Sequence, residues 1–223
     1  MAFRRLDLET YPRREHFEHF LTMDDPFFTV TVPVDLTEWQ ERRRQAGASF
    51  YLSLQYAMVR AANRVPELRQ RISDGGIVEY DYCNPSFTVA APDGTYRYCY
   101  VNVDQPFAEY LAEGRRKQEE AIRSEHLTEE GDVLGELFFS STPWFSYTQV
   151  QTPRPDKEFS IPSFVIGRYA GQTALRMVNG QAQAYEKVTV PVSVMVHHAL
   201  VDGLHVGQFY GYLEEELAGM FRG

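Results

Sequence analysis

The 223-residue chain is short of cysteine, of long apolar runs and of positive charge. Its two cysteines, Cys83 and Cys99, are too few for a disulfide framework and wrongly spaced for a zinc site, which fits a reducing compartment. No stretch approaches the roughly 20 apolar residues of a bilayer-spanning helix. The opening MAFRRLDLETYPRREHF lacks the apolar core of a secretory signal. The expectation is a soluble, cytoplasmic protein with no membrane partner. A formal net charge of −9 argues against nucleic acid as a partner, although a local basic patch could still hold a phosphorylated cofactor. There is no G-x-S-x-G, P-loop or G-x-G-x-x-G, and no internal repeat or linker-like break in composition.

What the chain does have is apolar surface to bury. It is 43% hydrophobic and 14% aromatic, enough for a substantial core, and residues 1–223 read as one domain. YPRREHFEHFL reads as a short helix with Pro12 near its first turn. FFTVTVPVDLT alternates as a strand. DLTEWQERRRQAG follows as a helix, with Thr37 as its N-cap and Gly47 as its stop. SFYLSLQYAMVRAANRVPEL is a largely buried helix that ends before Pro66.

Short strands come next: GIVEYDYC, SFTVAAP and TYRYCYVNV, separated by turn residues. PFAEYLAEGRRKQEEAIRSEHL is an amphipathic helix with a charged face. LFFSSTPWFSYTQV and SFVIGRYAG are strand-like. An Asn179-Gly180 hairpin signal lies inside ALRMVNGQAQAYEKVTVPVSVMV. The last helix, LHVGQFYGYLEEELAGMF, lines up Val206, Leu213, Leu217 and Met220. Strands and helices interleave without a regular βαβ rhythm. That predicts an α/β (α+β) chain, a two-layer mixed-sheet sandwich with helices.

The candidate chemistry sits in VMVHHALVDGLHVGQFY. Val188 to Val196 alternate, and the same register puts His198 on the valine face and His197 on the opposite one. An imidazole aimed at the apolar side is favoured in its neutral form, which is the form a general base needs. Asp202 lies four residues on, at a turn closed by Gly203. It could polarise His198 as a triad carboxylate, or pair with an arginine and hold the turn. A metal bound by His198, Asp202 and His205 has no further ligand cluster to complete it, so no metal is expected.

Beyond this motif, YPRREHFEHF, FYLSLQYAMVRAANRVPELRQRI, NPSFTV, SSTPWFSYT and FVIGRY occur in an order that resembles the trimeric chloramphenicol acetyltransferases over nearly the whole chain. The resemblance implies that family's fold and transfer of an acetyl group from acetyl-CoA, a cosubstrate, to a small-molecule hydroxyl acceptor by direct attack in a ternary complex. It implies His198 as the base, Ser140 as the oxyanion donor and Arg13 as the ion-pair partner of Asp202. Trp144, Tyr169 and Tyr51 match coenzyme-binding positions. Phe20, Phe28 and Val165 match the acceptor pocket. Phe20 and Val165 stand where the family carries hydroxyl-bearing residues, so acetyl transfer is firmer than the acceptor: the leading reading is chloramphenicol O-acetyltransferase or a close relative, and another small hydroxyl compound is the alternative. A catalytically idle binding paralogue is the contrasting reading, and His198, Ser140, Asp202 and Arg13 together speak against it. The connection around Asn179-Gly180 is longer than the family's. The resemblance also implies a homotrimer with active sites at its interfaces. Phe27, Phe28, Phe138 and Phe139 are candidate contacts, with core burial the equal alternative for each.

Overall fold

Val188, Val190, Val192, Val194 and Val196 are all buried, and the strand that carries them is the axis of the molecule. The computed structural model describes residues 1–127 and 132–221. In chain order its elements are β1 (Phe3–Arg5), α1 (Arg14–Leu21), β2 (Phe27–Asp35), α2 (Thr37–Gln45), α3 (Phe50–Asn63), β3 (Gln70–Ser73), β4 (Gly76–Tyr80), β5 (Asn84–Ala90), β6 (Tyr96–Tyr100), α4 (Phe107–Arg123), β7 (Glu136–Thr142), β8 (Ser163–Gly167), β9 (Ala170–Val178), β10 (Gln181–His197) and α5 (Gly203–Gly219). The larger sheet has seven strands in the order β2-β10-β8-β7-β5-β6, with β9 also on β10. β7 runs parallel to β5 and β8, and the other pairs are antiparallel, so the sheet is mixed as expected. A smaller sheet orders its strands β1-β4-β3.

The two faces of the large sheet differ because side chains alternate across it. On one face Phe139 stacks on Phe164, with centroids 4.8 Å apart, and Phe209 of α5 meets Phe164 at 5.3 Å. Tyr51 of α3 packs on Phe87 there, and the valines of β10 complete this core. On the other face Ser140, Val165, Ser193 and Thr31 stand directly opposite one another across β7, β8, β10 and β2. The Thr31 and Ser193 hydroxyls bond at 2.6 Å.

Most expected elements are present, with instructive departures. Thr37 is the first residue of α2 rather than its N-cap. The Asp35 carboxylate accepts from both the Thr37 N–H, at 2.9 Å, and its hydroxyl. The strand expected through SSTPWFSYTQV stops at Thr142, because Pro143 has no N–H to offer a ladder. Of the two places open to Phe139, the structure shows core burial. β1 and β3 were missed, being too short to show an alternation. The Asn179-Gly180 turn is present, with positive φ at both residues, as a tight two-residue hairpin requires. It joins β9 to the first half of β10, a ribbon that pairs only with itself and leaves Leu175 and Met177 each 70% exposed.

Truncating Phe209 to Ala removes the ring between helix layer and sheet and should cost about 3–5 kcal/mol. Leu175→Ala on the ribbon should change stability by less than about 0.5 kcal/mol. Urea unfolding midpoints of the two variants test the contrast.

Candidate active site

β10 ends at His197, and a tight turn carries the chain to α5. The two histidines diverge there. His197 is buried on the outer face beside Phe27, at 5.0 Å. Its Nε2–H donates to the Lys157 carbonyl at 2.9 Å, and its Nδ1 accepts from the Ala199 N–H at 3.1 Å. Burial pushes its pKa down, so it is a neutral ring with both nitrogens engaged. His198 is half-buried, stacked on Phe20 at 4.0 Å and tilted against Phe28 at 4.7 Å. Its Nδ1 lies 3.0 Å from the Val201 carbonyl. A carbonyl can only accept, so Nδ1 carries a proton, and in the neutral ring Nε2 is the nitrogen that keeps a lone pair. The backbone is pinned as well: the His198 N–H donates to Pro26 O at 2.7 Å, and its carbonyl accepts from Arg13 at 3.3 Å.

Asp202 faces Arg13 rather than His198. Arg13 Nη1 pairs with its Oδ2. Its Oδ1 accepts from the Leu204 N–H at 2.9 Å and so caps α5. The His205 ring completes a capping box by accepting from the Asp202 N–H at 3.1 Å. Burial pushes the Asp202 carboxyl up, but the charges of His205 and Arg13 and the bonds to Leu204 and Arg13 outweigh it, and its pKa is lowered. Of the two roles open in the sequence, this geometry is that of the ion pair.

Ser140 lies in the middle of the outer face, opposite Val165. It lines a cavity of about 730 Å³ with Tyr96, Tyr98, Phe138, Phe159 and Ile161. Val165 is buried beside Ser140 but does not line that cavity, and its carbonyl accepts from the Tyr147 hydroxyl at 2.8 Å. Ser140 and Val165 align with Ser193, five residues before His198 on β10. Two interstrand spacings and five residues of strand put Ser140 roughly 19 Å from His198. Within one chain, therefore, the candidate base and the candidate oxyanion donor are not brought together.

The coenzyme candidates form a third group. Trp144 is 69% exposed in the segment after β7. Tyr169 is exposed just before β9 and meets the ring of Phe50 at 5.0 Å. Tyr51 instead turns toward Phe87, and its hydroxyl accepts from Gln55 at 3.3 Å. Sequence reading missed Phe50, Tyr147 and the cavity tyrosines. Tyr96 and Tyr98 carry the one usable signal, alternate aromatics facing one side of an edge strand.

Asp202→Asn keeps an α5 cap but strands the charge of Arg13. Asp202 retains 32% side-chain exposure, so the loss should be about 2 kcal/mol, below the 3–5 of a fully buried pair. The contribution is complete above the unfolded carboxyl value of about 3.9 and is lost as pH falls through the lowered folded value. Urea unfolding from neutral to strongly acid pH should therefore show the variant weaker at neutrality and equal to the parent at the acid end.

A family model described as chloramphenicol acetyltransferase matches residues 1–214. Chloramphenicol acetyltransferase 2 of Escherichia coli is 28% identical over 217 residues, 96% of each chain. The chloramphenicol acetyltransferase of Bacillus pumilus is 25% identical over 214 residues, 95% of this chain and 91% of that one. Among solved structures, a chloramphenicol acetyltransferase superposes with a TM-score of 0.78 at 24% identity, covering 97% of this chain and 100% of the other. The dihydrolipoamide acetyltransferase of Azotobacter vinelandii superposes at 0.66 with 18% identity, covering 92% and 86%. At such identities the two structures speak for the fold alone. The match over residues 1–214, on a chain with this sheet and this histidine turn, places the protein in the chloramphenicol acetyltransferase family of acyltransferases.

Proposed function

We propose that the chain is an acetyl-CoA-dependent O-acetyltransferase acting on a small hydroxyl compound in a ternary complex, with no metal and no covalent enzyme intermediate. The observation that carries this reading is the state of His198. Its Nδ1–H and both backbone polar groups are engaged, so Nε2 is left free to take a proton. Acetyl-CoA supplies the acetyl thioester. His198 Nε2 takes the proton of the acceptor hydroxyl as its oxygen attacks, and then gives it to the departing thiolate. Ser140 Oγ donates to the developing oxyanion. Phe20 and Phe28 hold the imidazole plane and keep water from it.

The coenzyme side is assigned to Trp144, Tyr169 and Tyr51, and the acceptor side to Phe20, Phe28, Val165 and the cavity beside Ser140. Exposed aromatic surface at Trp144 and Tyr169 suits a long carrier with an aromatic base. Phe20 and Val165 present no hydroxyl to an acceptor, which favours a small hydroxyl compound other than chloramphenicol. Thiol release from acetyl-CoA with chloramphenicol and a panel of alcohols decides between acceptors. No release with any of them would mark an idle paralogue.

The wide separation of Ser140 from His198 supports a site shared between copies. We assign the chain, as one domain over residues 1–223, to a homotrimer in a closed heterologous ring, each His198 facing a neighbour's Ser140. Among the described residues no helix is long and apolar enough to cross a membrane, and the cytoplasm is the proposed compartment.

His198→Ala should lower kcat by several orders of magnitude with coenzyme binding kept, while Ser140→Ala should cost roughly 3 kcal/mol in the barrier. Neither is expected to recover alone. Unfolded together and refolded as mixed trimers, the two should regain about a quarter of wild-type activity, since each mixed ring rebuilds one intact site. Light scattering that reports an active monomer of 25.8 kDa would overturn the trimer.

A further inference from the structure

Val201 and Asp202 share a peptide group, and both of its polar ends are taken by imidazoles. The Val201 carbonyl lies 3.0 Å from His198 Nδ1, and the Asp202 N–H donates to His205 Nδ1 at 3.1 Å. Every peptide bond among the described residues is trans, so these two ends point in opposite directions within one plane. Turning the N–H turns the carbonyl with it. The ring that holds the N–H therefore aims the carbonyl on which the tautomer of His198 depends.

His205 is itself held. It is the third residue of α5 and is 7% exposed. To accept at Nδ1 the ring must be neutral, with its proton on Nε2. Nε2 lies 3.6 Å from Oε1 of Glu67, which stands in the single helical turn Pro66–Arg69 after α3. That is too long for a hydrogen bond, but a carboxylate so placed favours the tautomer with its proton on Nε2. Protonation would turn Nδ1 into a donor whose nearest acceptor is Asp202 Oδ1, at 3.3 Å. The charge by which His205 acts on the Asp202 carboxyl belongs to that protonated ring, and only the neutral ring holds the peptide.

We infer that His205 is a positioning residue for the base, acting through the Val201–Asp202 peptide, with Glu67 selecting the tautomer that His205 needs. The inference rests on the reading above of His198 as the base, and it adds what keeps Nε2 of that base open. A helix cap alone would stabilise α5 and leave the chemistry indifferent. Here the direction of one peptide decides which His198 nitrogen is free. A donated N–H also polarises the carbonyl across the peptide and strengthens its bond to His198. Neither His205 nor Glu67 touches a reacting atom.

The test sets transfer rate against stability, with the best acceptor of the panel above. His205→Ala leaves the Asp202 N–H without its acceptor and should lower kcat about tenfold, with acetyl-CoA affinity kept. His205→Gln restores an acceptor that reaches the N-cap N–H from the third helical position, and kcat should return to within about threefold of wild type. Glu67→Gln should cost about threefold beside His205 and nothing further in His205→Gln, whose amide has no tautomer to select. Leu217→Ala removes buried packing at the far end of α5 and should lower the urea midpoint at least as much as His205→Ala, with kcat unchanged. Nitrogen-15 spectra of the histidine-labelled chain in mildly alkaline buffer read the tautomer without turnover, His198 being identified by its loss in His198→Ala. Wild-type His198 should carry its proton on Nδ1, and His205→Ala should divide it between the two nitrogens. An unchanged His198 tautomer in His205→Ala, or a kcat loss that His205→Gln does not recover, overturns the inference. A wild-type chain that acetylates nothing overturns the reading of His198 as the base, and the spectra still decide whether His205 sets its tautomer.

Discussion

The guanidinium of Arg13 fixes the geometry on which the rest of the histidine turn depends. It spans 189 residues of sequence to reach Asp202, and it also donates to the His198 carbonyl. Arginine suits this place because its rigid fork can serve a carboxylate and a carbonyl at once, which the ammonium of lysine does less well. Asp202 carries the constraint onward by capping α5. Arg13 also sits at the start of α1, seven residues before Phe20, which is two helical turns and the same side. Holding Arg13 on the turn therefore holds Phe20 over the imidazole. One ion pair sets the ring's backbone, its stacking partner and the helix that follows it.

The pair of adjacent histidines follows from the same constraint together with alternation along β10. Side chains of neighbouring strand residues point to opposite faces, so His197 and His198 meet different surroundings. His197 is closed on both nitrogens and anchors the Lys157 segment across the outer face. His198 keeps one nitrogen open because the strand has ended and the Val201 carbonyl turns back to accept a hydrogen bond from the other. An imidazole in a regular strand would find no carbonyl so placed. The turn is thus part of the chemistry, since it chooses the tautomer.

The sequence made legible whatever local pattern or spacing decides. The valine alternation gave β10 its buried face, Asn179-Gly180 gave the hairpin, and the block order gave the family. The two possible roles of Asp202 were not separable by spacing alone, because a carboxylate four residues on could face either the ring or the arginine. Family resemblance named Arg13, and the geometry agrees. Tyr51 and Tyr169 each match coenzyme positions by resemblance, and the contact of Phe50 with Tyr169 has no sequence signal, since neighbouring residues on a helix point about 100° apart. Trp144 was read inside a strand, but Pro143 ends the ladder one residue earlier. The cavity of the outer face was invisible because it is assembled from β5, β6, β7 and the segment before β8, which come together only in the fold.

A single chain leaves each part of the proposed chemistry half made. Ser140 is only partly buried on the outer face, at the wall of the open cavity, where water would compete for any oxyanion it bound. His198 sits at the far end of β10, with its free nitrogen beyond the reach of Ser140. Trp144, Leu175 and Met177 present large apolar side chains to solvent on the segments after β7 and along the β9–β10 ribbon. In the proposed trimer these features answer one another. A neighbour laid over the cavity dries Ser140 and brings its own base to it, and the constraint that Arg13 places on His198 becomes a constraint on the site of another copy. The accuracy of the turn then matters more than it would in a self-contained site, because the donor it must meet belongs to a different chain and can be aligned only through the rigidity of both.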